Sequence, residues 1–354
     1  MRCNQCILSD NTPKIVFDDH GICNYCHDYK EETVKGEESL ARELERLRRQ
    51  DGGYECLVSI SGGRDSSYIL LKLVKDYGMN VLAVNYENPF TVEQARTNME
   101  NAVRILGIDF ISFKDEGDRH RKGLQTAVKA WITQPSPSMI PIMCLGCKPA
   151  WLSTYRIARK YGIPCIVTGG NPYEVMTFKR TLMNISADED RERAFMKYAY
   201  AAKGIFRNAG YFKPAFVRMM LLAYFFGAPF ALGNRFYGRG IGWIQFYDYI
   251  QWDEEEILNR IRSELNWSQP AHMESTWRFD CRVKQLVDYM YKKTLDISDK
   301  EDFYSKLVRE GRMGRKQAIQ KAEIEKKIYM DEVRQVLNQI GIDPDFFIER
   351  MELL

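Results

Sequence analysis

The string Ser61-Gly62-Gly63-Arg64-Asp65-Ser66, with Ser67 behind it, has the composition of an anion grip. Two adjacent glycines let a backbone turn sharply and approach a ligand with no Cβ in the way. The hydroxyls of Ser61, Ser66 and Ser67 can donate to phosphate oxygens, and Arg64 adds a full positive charge. The string follows the apolar run Cys56-Leu57-Val58-Ser59-Ile60 and opens a helical pattern from about Ser66 to Tyr77, stopped by Gly78. In that setting the free N–H groups of the first helical turn face an anion with a partial positive charge. Plain strand–turn–helix connections also use glycine and serine, so a bare Gly-Gly is weak evidence. The whole string in this context reads as a phosphate site.

Cysteine supplies the second chemistry. Cys3-x-x-Cys6 and Cys23-x-x-Cys26, sixteen residues apart, can aim four thiolates at one tetrahedral zinc. Four closed ligands make such a site structural. The segment around them is too short to build a core, and a metal gives it a reason to be ordered. A third set is Cys144-Leu145-Gly146-Cys147-Lys148 together with Cys281, which follows Trp277-Arg278-Phe279-Asp280. Three readings stand for this set: small buried side chains, a redox or persulfide site, or a second metal or cluster site.

The elements that must hold these residues alternate. After the first strand come Val81-Leu82-Ala83-Val84, Phe110-Ile111-Ser112-Phe113 and Cys165-Ile166-Val167-Thr168 as further strands. Helical patterns separate them. One opens at Thr91 with Gln94 in capping-box spacing, one runs from about Gly123 to Ile132, and one from about Leu145 to Lys160. Alternation of this kind predicts an α/β fold with an open, mostly parallel sheet and helices on both faces, with functional loops at the carboxyl ends of the strands. The expected organisation is a cysteine knuckle over 1–30 and a charged linker helix over 31–52 carrying Leu40, Leu44 and Leu47. A phosphate-binding α/β domain over 53–180 follows, then an aromatic-rich and helical C-terminal region over 181–354. Asp253 with Glu256 marks a further helix start, running to about Leu265.

The loop resembles the pyrophosphate loop, or PP-loop, of the N-type ATP pyrophosphatases, an adenine nucleotide alpha-hydrolase-like fold. That resemblance implies ATP and magnesium, release of pyrophosphate, and AMP transfer to a carbonyl-type oxygen. Ser61, Arg64 and Asp65 are then the expected catalytic residues, with Asp65 helping to hold magnesium. The family often has lysine where this chain has Arg64. Asn85 and Tyr86 are placed to border the adenosine, and Gly169-Gly170-Asn171 resembles the second loop that closes over the nucleotide. The knuckle, the charged helix and the PP-loop in that order resemble the N-acetyl sugar amidotransferases of bacterial surface-polysaccharide synthesis. The resemblance also covers Phe17-Asp18-Asp19-His20-Gly21-Ile22-Cys23, Trp252-Asp253-Glu254-Glu255-Glu256 and Val308-Arg309-Glu310-Gly311-Arg312-Met313. It implies conversion of an acetamido group on a nucleotide-activated N-acetyl sugar to an acetamidino group. Tyr211 to Trp243 would form the sugar-nucleotide wall, with Arg235 and Arg239 as phosphate contacts, or else a plain helical segment. The chain has four histidines and no evident cysteine–histidine glutaminase pair, so the resemblance implies separate glutaminase and ammonia-channel subunits. Cys144, Cys147 and Cys281 depart from it. They resemble the tRNA thiolases that hold an iron–sulfur cluster on one Cys-x-x-Cys and one distant cysteine, which keeps sulfur transfer as the alternative chemistry.

Composition bounds the rest. The chain has 354 residues, 45% hydrophobic and 28% charged, enough for a self-supporting core. A formal charge of +3 gives no general attraction for bulk nucleic acid, although a local basic patch is compatible with it. No apolar leader follows Met1, and nine cysteines without one point to a reducing cytoplasm. Ala215 to Gly233 is apolar but is interrupted by Arg218, Gly227 and Pro229, which predicts a buried helix or substrate wall and no transmembrane span. A homodimer built on the C-terminal region is a further expectation.

Overall fold

The computed structural model describes residues 1–183 and 195–354; residues 184–194, at the start of the expected C-terminal region, lie outside the described residues. Five strands form one parallel sheet: β1 Cys56–Ser59, β2 Val81–Tyr86, β3 Asp109–Phe113, β4 Cys165–Thr168 and β5 Gly242–Gln245. Their order is β3-β2-β1-β4-β5.

Side chains alternate along a strand, and here both faces are covered. Val58, Ala83 and Val167 share one core with Tyr68, Ile69 and Leu70, whereas Leu57, Leu82 and Ile166 share another with Tyr155 and Ala158. Those two partner sets belong to helices α3 Arg64–Leu71 and α6 Ala150–Lys160. The expected α/β architecture, with helices on both faces of an open parallel sheet, is therefore the one observed.

The other helices fall into four groups. Helices α1 Asn24–His27 and α2 Glu37–Glu45 precede the sheet, and α4 Glu93–Leu106 and α5 Arg119–Thr133 cross between strands. Helices α7 Thr177–Leu182, α8 Phe195–Arg207, α9 Pro214–Phe226 and α10 Leu232–Tyr237 lie between β4 and β5. The C-terminal region is helical: α11 Glu254–Leu265, α12 Val283–Leu295, α13 Asp299–Arg309, α14 Arg315–Glu325, α15 Met330–Gln339 and α16 Pro344–Glu352.

Four local readings change. Helix α3 begins at Arg64 and passes into a π-helical turn over Lys72–Asp76. Helix α6 begins at Ala150, because Pro137–Leu145 is a 3-10 segment and Pro149 stands at the cap. The α4 cap is Val92, without a side-chain hydrogen bond; Thr91 instead pairs with Cys281 in an isolated bridge. Strand β5 went unread, and through it the sheet draws on sequence beyond residue 180. The Asp253 cap of α11 is as expected, its side chain accepting from the Glu256 N–H.

The strand order turns at β1 and β4. From β1 the chain builds towards β2 and β3, and from β4 towards β5. Open α/β sheets bind ligands at this reversal, outside the carboxyl ends of the strands. The two loops leaving β1 and β4 are the Ser61 loop and the Gly169–Asn171 loop.

Candidate active site

A cavity of about 1070 Å³ opens at that reversal. Ser61, Asn85, Tyr86, Gly170 and Asn171 all line it, so residues from three strand ends meet there. Its wall carries six cations (Lys148, Lys179, Arg180, Arg235, Arg278 and Lys284) and two carboxylates, Glu174 and Asp280. Arg239 is absent from the lining, and Arg235 is part of it.

The loop is fixed from behind. Gly62 has φ +77°, and a Cβ there would stand 1.9 Å from the Ala95 carbonyl oxygen. Its own carbonyl accepts from Asn98 Nδ2 at 3.1 Å and Trp267 Nε1 at 3.0 Å. Glycine is thus required by both conformation and space. Ser66 Oγ accepts from the Ser61 N–H at 3.3 Å, and Ser61 Oγ accepts from the Gly63 N–H at 3.4 Å. Ser67 Oγ donates to the Gly63 carbonyl at 2.8 Å. Of the six-residue string, Ser61 is the member that reaches the cavity wall.

Arg64 is turned inward. It is 3% exposed, donates to Glu254 at 2.7 Å and Thr276 at 3.0 Å through Nη1 and to Asp65 at 3.1 Å through Nε, and lies 4.8 Å from the Trp252 ring centre. Asp65 Oδ1 also accepts from Trp252 Nε1 at 3.1 Å. Both charges are spent on joining the loop to α11 and to the segment before α12. The cause is a partner far along the chain: Glu254, which local spacing around the loop does not show.

The cavity-facing charges come from elsewhere. Segment 280–282 is sewn to segment 90–92 by Val92 N–H to Asp280 O at 3.1 Å and Arg282 N–H to Phe90 O at 3.0 Å. That stitch carries Arg278, Asp280 and Cys281 to the sheet end. Asp280 stands over the loop, its carboxyl 3.6 Å from where a Gly63 Cβ would be. Burial pushes its carboxyl up, against a hydrogen bond from Ser61. Glu174 is pushed up to about 7, first by burial and then by the charge of Asp65. Arg278 takes the left-handed φ of +51° and has no side-chain hydrogen bond among the described residues. Asn171 is 3% exposed; its Oδ1 accepts from the Tyr173 N–H at 2.9 Å, and its Nδ2 has no partner. A buried donor without a partner costs about 1–3 kcal/mol, so its place on a cavity wall points to a ligand.

The three internal cysteines line the same cavity. Asn88 Nδ2 donates to Cys281 Sγ at 3.1 Å. Below the Cys144–Cys147 turn lies His120, so close that a Cβ on Gly146 would be 1.8 Å from its ring. Burial lowers His120 to about 4, which makes it a neutral imidazole, and its Nδ1 lies 3.2 Å from the Tyr86 hydroxyl. Burial raises the Cys147 and Cys281 thiols, Cys281 to about 12. Both are therefore neutral thiols at pH 7, a state that disfavours nucleophilic or redox use. Arg278, Asp280, Glu174 and His120 were not singled out by spacing as site residues; the Trp277–Cys281 stretch, with two charges packed among aromatic residues, was the available signal.

The N-terminal cysteines behave differently. Cys3 and Cys26 sulfurs are 3.8 Å apart, Cys6 and Cys23 3.7 Å, and Cys23 and Cys26 3.6 Å. A tetrahedron with Zn–S bonds of about 2.3 Å has S–S edges of about 3.8 Å, so this set fits zinc. Arg309 donates to Cys26 Sγ at 3.2 Å and to Cys6 Sγ at 3.4 Å, and Arg315 donates to the Cys3 carbonyl at 2.7 Å. These cations offset the negative charge of a four-thiolate site. Among the described residues this is the set whose ligand atoms gather to metal-binding distance, all within 4.8 Å.

No protein-family model matches the chain. Over 174 residues it is 25% identical to an uncharacterized protein of Methanocaldococcus jannaschii, a stretch covering 48% of this chain and 58% of that protein. The chain thus spans a little over half of that relative's length. Among solved structures, NMN synthetase from Francisella tularensis is similar at a TM-score of 0.38 and 12% identity, covering 82% of this chain and 94% of that one. None of these likenesses assigns the chain to a family.

Proposed function

We propose that this chain is a PP-loop ATP pyrophosphatase that adenylates the acetamido oxygen of a nucleotide-activated N-acetyl sugar and replaces it with ammonia. The observation that carries this reading is the phosphate-type loop at the strand-order reversal, opening into a large cavity with six cations against two carboxylates. Such a lining suits two anionic ligands, ATP and a phosphate-bearing acceptor.

The acetamido oxygen attacks the α-phosphorus of ATP, the bond to the bridging oxygen breaks, and pyrophosphate leaves. Ammonia adds to the activated carbon; AMP then departs with the former acetamido oxygen and a proton is lost, giving the acetamidino group. Ser61 and the free N–H groups at the start of α3 hold the leaving pyrophosphate. Asn171 Nδ2 supplies its unused donor, while Asn85 and Tyr86 border the nucleoside. Arg278 meets charge developing on phosphate. Asp280 and Glu174 offer the oxygen donors that magnesium takes and would hold it, with the Asp65 carboxylate behind them; the ion when bound neutralises phosphate charge. Tyr224, Arg235 and Trp243 form the acceptor arm. Ammonia comes from separate glutaminase and channel subunits.

The test is incubation with Mg-ATP, UDP-N-acetyl sugars and ammonium. AMP, pyrophosphate and a sugar whose mass shows one oxygen replaced by NH are expected. ADP and phosphate as products would remove the reading.

A second reading is sulfur transfer to an AMP-activated carbon, favoured by one observation: Cys144, Cys147 and Cys281 line this cavity. An iron–sulfur cluster on the three would make anaerobically reconstituted protein brown, and the product would carry sulfur in place of oxygen.

A further inference from the structure

One face of the molecule is both apolar and basic. From Phe195 to Tyr247 the sequence has seven lysines and arginines and no aspartate or glutamate. Six of these, Lys203, Arg207, Lys213, Arg218, Arg235 and Arg239, are exposed, and none pairs with a carboxylate among the described residues. Large apolar side chains stand among them: Phe236 is 78% exposed, Phe206 76%, Leu232 62% and Leu221 54%.

Helix α9 shows how this face arises. Phe216, Met219 and Ala223 form its buried stripe, with Met219 set against Gly123 of α5. Val217, Leu221, Tyr224 and Phe225 fall at i, i+4, i+7 and i+8, a second apolar stripe, and all four are exposed. The fold thus covers one side of a helix that is apolar on two. Tyr237 joins α10 to this helix, its ring 6.0 Å from Phe226 and 5.8 Å from Phe236. The helix has 13 residues, about 20 Å, against the roughly 30 Å of a bilayer core. No helix among the described residues is long and apolar enough to cross a membrane.

We propose that this face docks the protein on an anionic lipid bilayer, with α9 lying in the plane of the interface. Apolar side chains enter the headgroup–acyl boundary while the surrounding lysines and arginines meet anionic headgroups, the two attractions that hold an interfacial helix. A second copy of the chain fits worse, because self-pairing sets basic residues against basic residues. Nucleic acid also fits worse: it stacks bases on aromatic rings, whereas Val217, Leu221 and Leu232 offer protruding aliphatic groups. Tyr224, Leu232 and Trp243 belong to this face and to the cavity wall, so docking brings the cavity's acceptor arm to headgroup level.

The experiment is co-sedimentation of the full chain with phosphatidylcholine vesicles, with and without phosphatidylglycerol. Binding is expected only with the anionic lipid and falls as salt rises. Leu221→Ser with Phe225→Ser, and separately Lys213→Glu with Arg218→Glu, should each lower it about tenfold or more. None of these four residues lines the cavity, and unchanged circular dichroism and melting temperature show that each variant folds. The proposal is overturned if wild type ignores anionic vesicles. It is equally overturned if the variants bind vesicles as wild type does, if they abolish a wild-type dimer in sedimentation without altering lipid binding, or if they lose affinity for RNA and not for lipid.

Discussion

The molecule holds two cysteine constellations built on the same Cys-x-x-Cys spacing, and they end in opposite states. In the N-terminal set, the sulfurs lie 3.6–3.8 Å apart along the Cys3–Cys26, Cys6–Cys23 and Cys23–Cys26 edges, and Arg309 donates to Cys6 and Cys26. In the internal set, Cys144, Cys147 and Cys281 line the wall of a large cavity without gathering within 4.8 Å of one another, and burial raises the Cys147 and Cys281 thiols. The difference lies in what surrounds the spacing. Backbone N–H groups of Cys6 and Cys23 point at Cys3 Sγ, at 3.5 and 3.3 Å, and turn the knuckle inward on itself. The internal pair instead straddles the end of a 3-10 segment above His120, Cys144 inside it and Cys147 in the turn beyond, with its third member arriving from nearly 140 residues away along the sequence. Spacing proposes a site; convergence of donors and compensating charge decides it.

The largest expected effect strikes the N-terminal set. One zinc per chain should be found by metal analysis of protein purified without chelator. Cys6→Ala or Cys23→Ala should unfold residues 1–30, since structural zinc contributes about 10 kcal/mol or more to such units. Arg309→Ala tests the same set more gently: weaker zinc retention against a chelator, by about tenfold or more, is expected of a second-sphere contact. Metal-free protein with an intact N-terminal unit would erase the contrast between the two constellations.

The next effect falls on the cavity. Ser61→Ala should slow AMP formation about a hundredfold, the scale for losing one donor to a transition state. Asp280→Asn tests the carboxylate that faces the loop, with a comparable loss and an altered magnesium requirement expected. Equal rates for wild type and Ser61→Ala would remove the loop from the chemistry.

Much of this was legible. The apolar runs of β1 to β4 are short, bounded by glycine and turn residues, and followed by helical periodicity, so local pattern and global fold agree. Strand β5 was not legible, because Gly242-Trp243-Ile244-Gln245 emerges from an aromatic tract with no alternation of its own and gains its place only by pairing with β4. Arg64 read as a phosphate contact because its partner Glu254 lies 190 residues away. Arg278, Asp280 and Glu174 were hidden for the same reason. A buried constellation assembled from distant segments leaves no periodicity to read. Asn171, in contrast, is expected at the site from the loop it belongs to, and the fold leaves its buried Nδ2 unpaired on the cavity wall.

A smaller effect concerns the support beneath the internal cysteines. His120 is held near a pKa of about 4 by burial, against an ordinary value of 6.5. Its folded-state pKa is depressed, so below pH 6.5 the unfolded chain takes up the proton more readily and stability falls as pH drops. Between pH 6.5 and pH 5 that loss amounts to about 2 kcal/mol. Urea midpoints of wild type should fall over this range more than those of His120→Gln. Parallel profiles would mean that the imidazole is charged in the folded state.

The smallest expected effect is the one that separates the two chemistries. Cys147 is exposed to the solvent of the cavity, its Sγ makes one long contact to the Cys144 carbonyl at 3.6 Å, and burial of the surrounding region raises its thiol. Nothing in that environment makes it a nucleophile, and nothing packs on it tightly enough for the oxygen of serine to cost much. Cys147→Ser should therefore leave ammonia-dependent AMP release within about twofold of wild type, the range of substitutions that break no packed or paired group. Cys281→Ala costs more in stability, because Asn88 loses its acceptor, but should spare the same reaction once the protein is folded. Sulfur transfer requires the reverse order. There either substitution would abolish thiolated product while ATP binding persists, since the loop at Ser61 is held by Ala95, Asn98 and Trp267 and by none of the three cysteines. Measuring AMP release and product mass on both variants decides between them, because each chemistry fixes which of the two readouts must move.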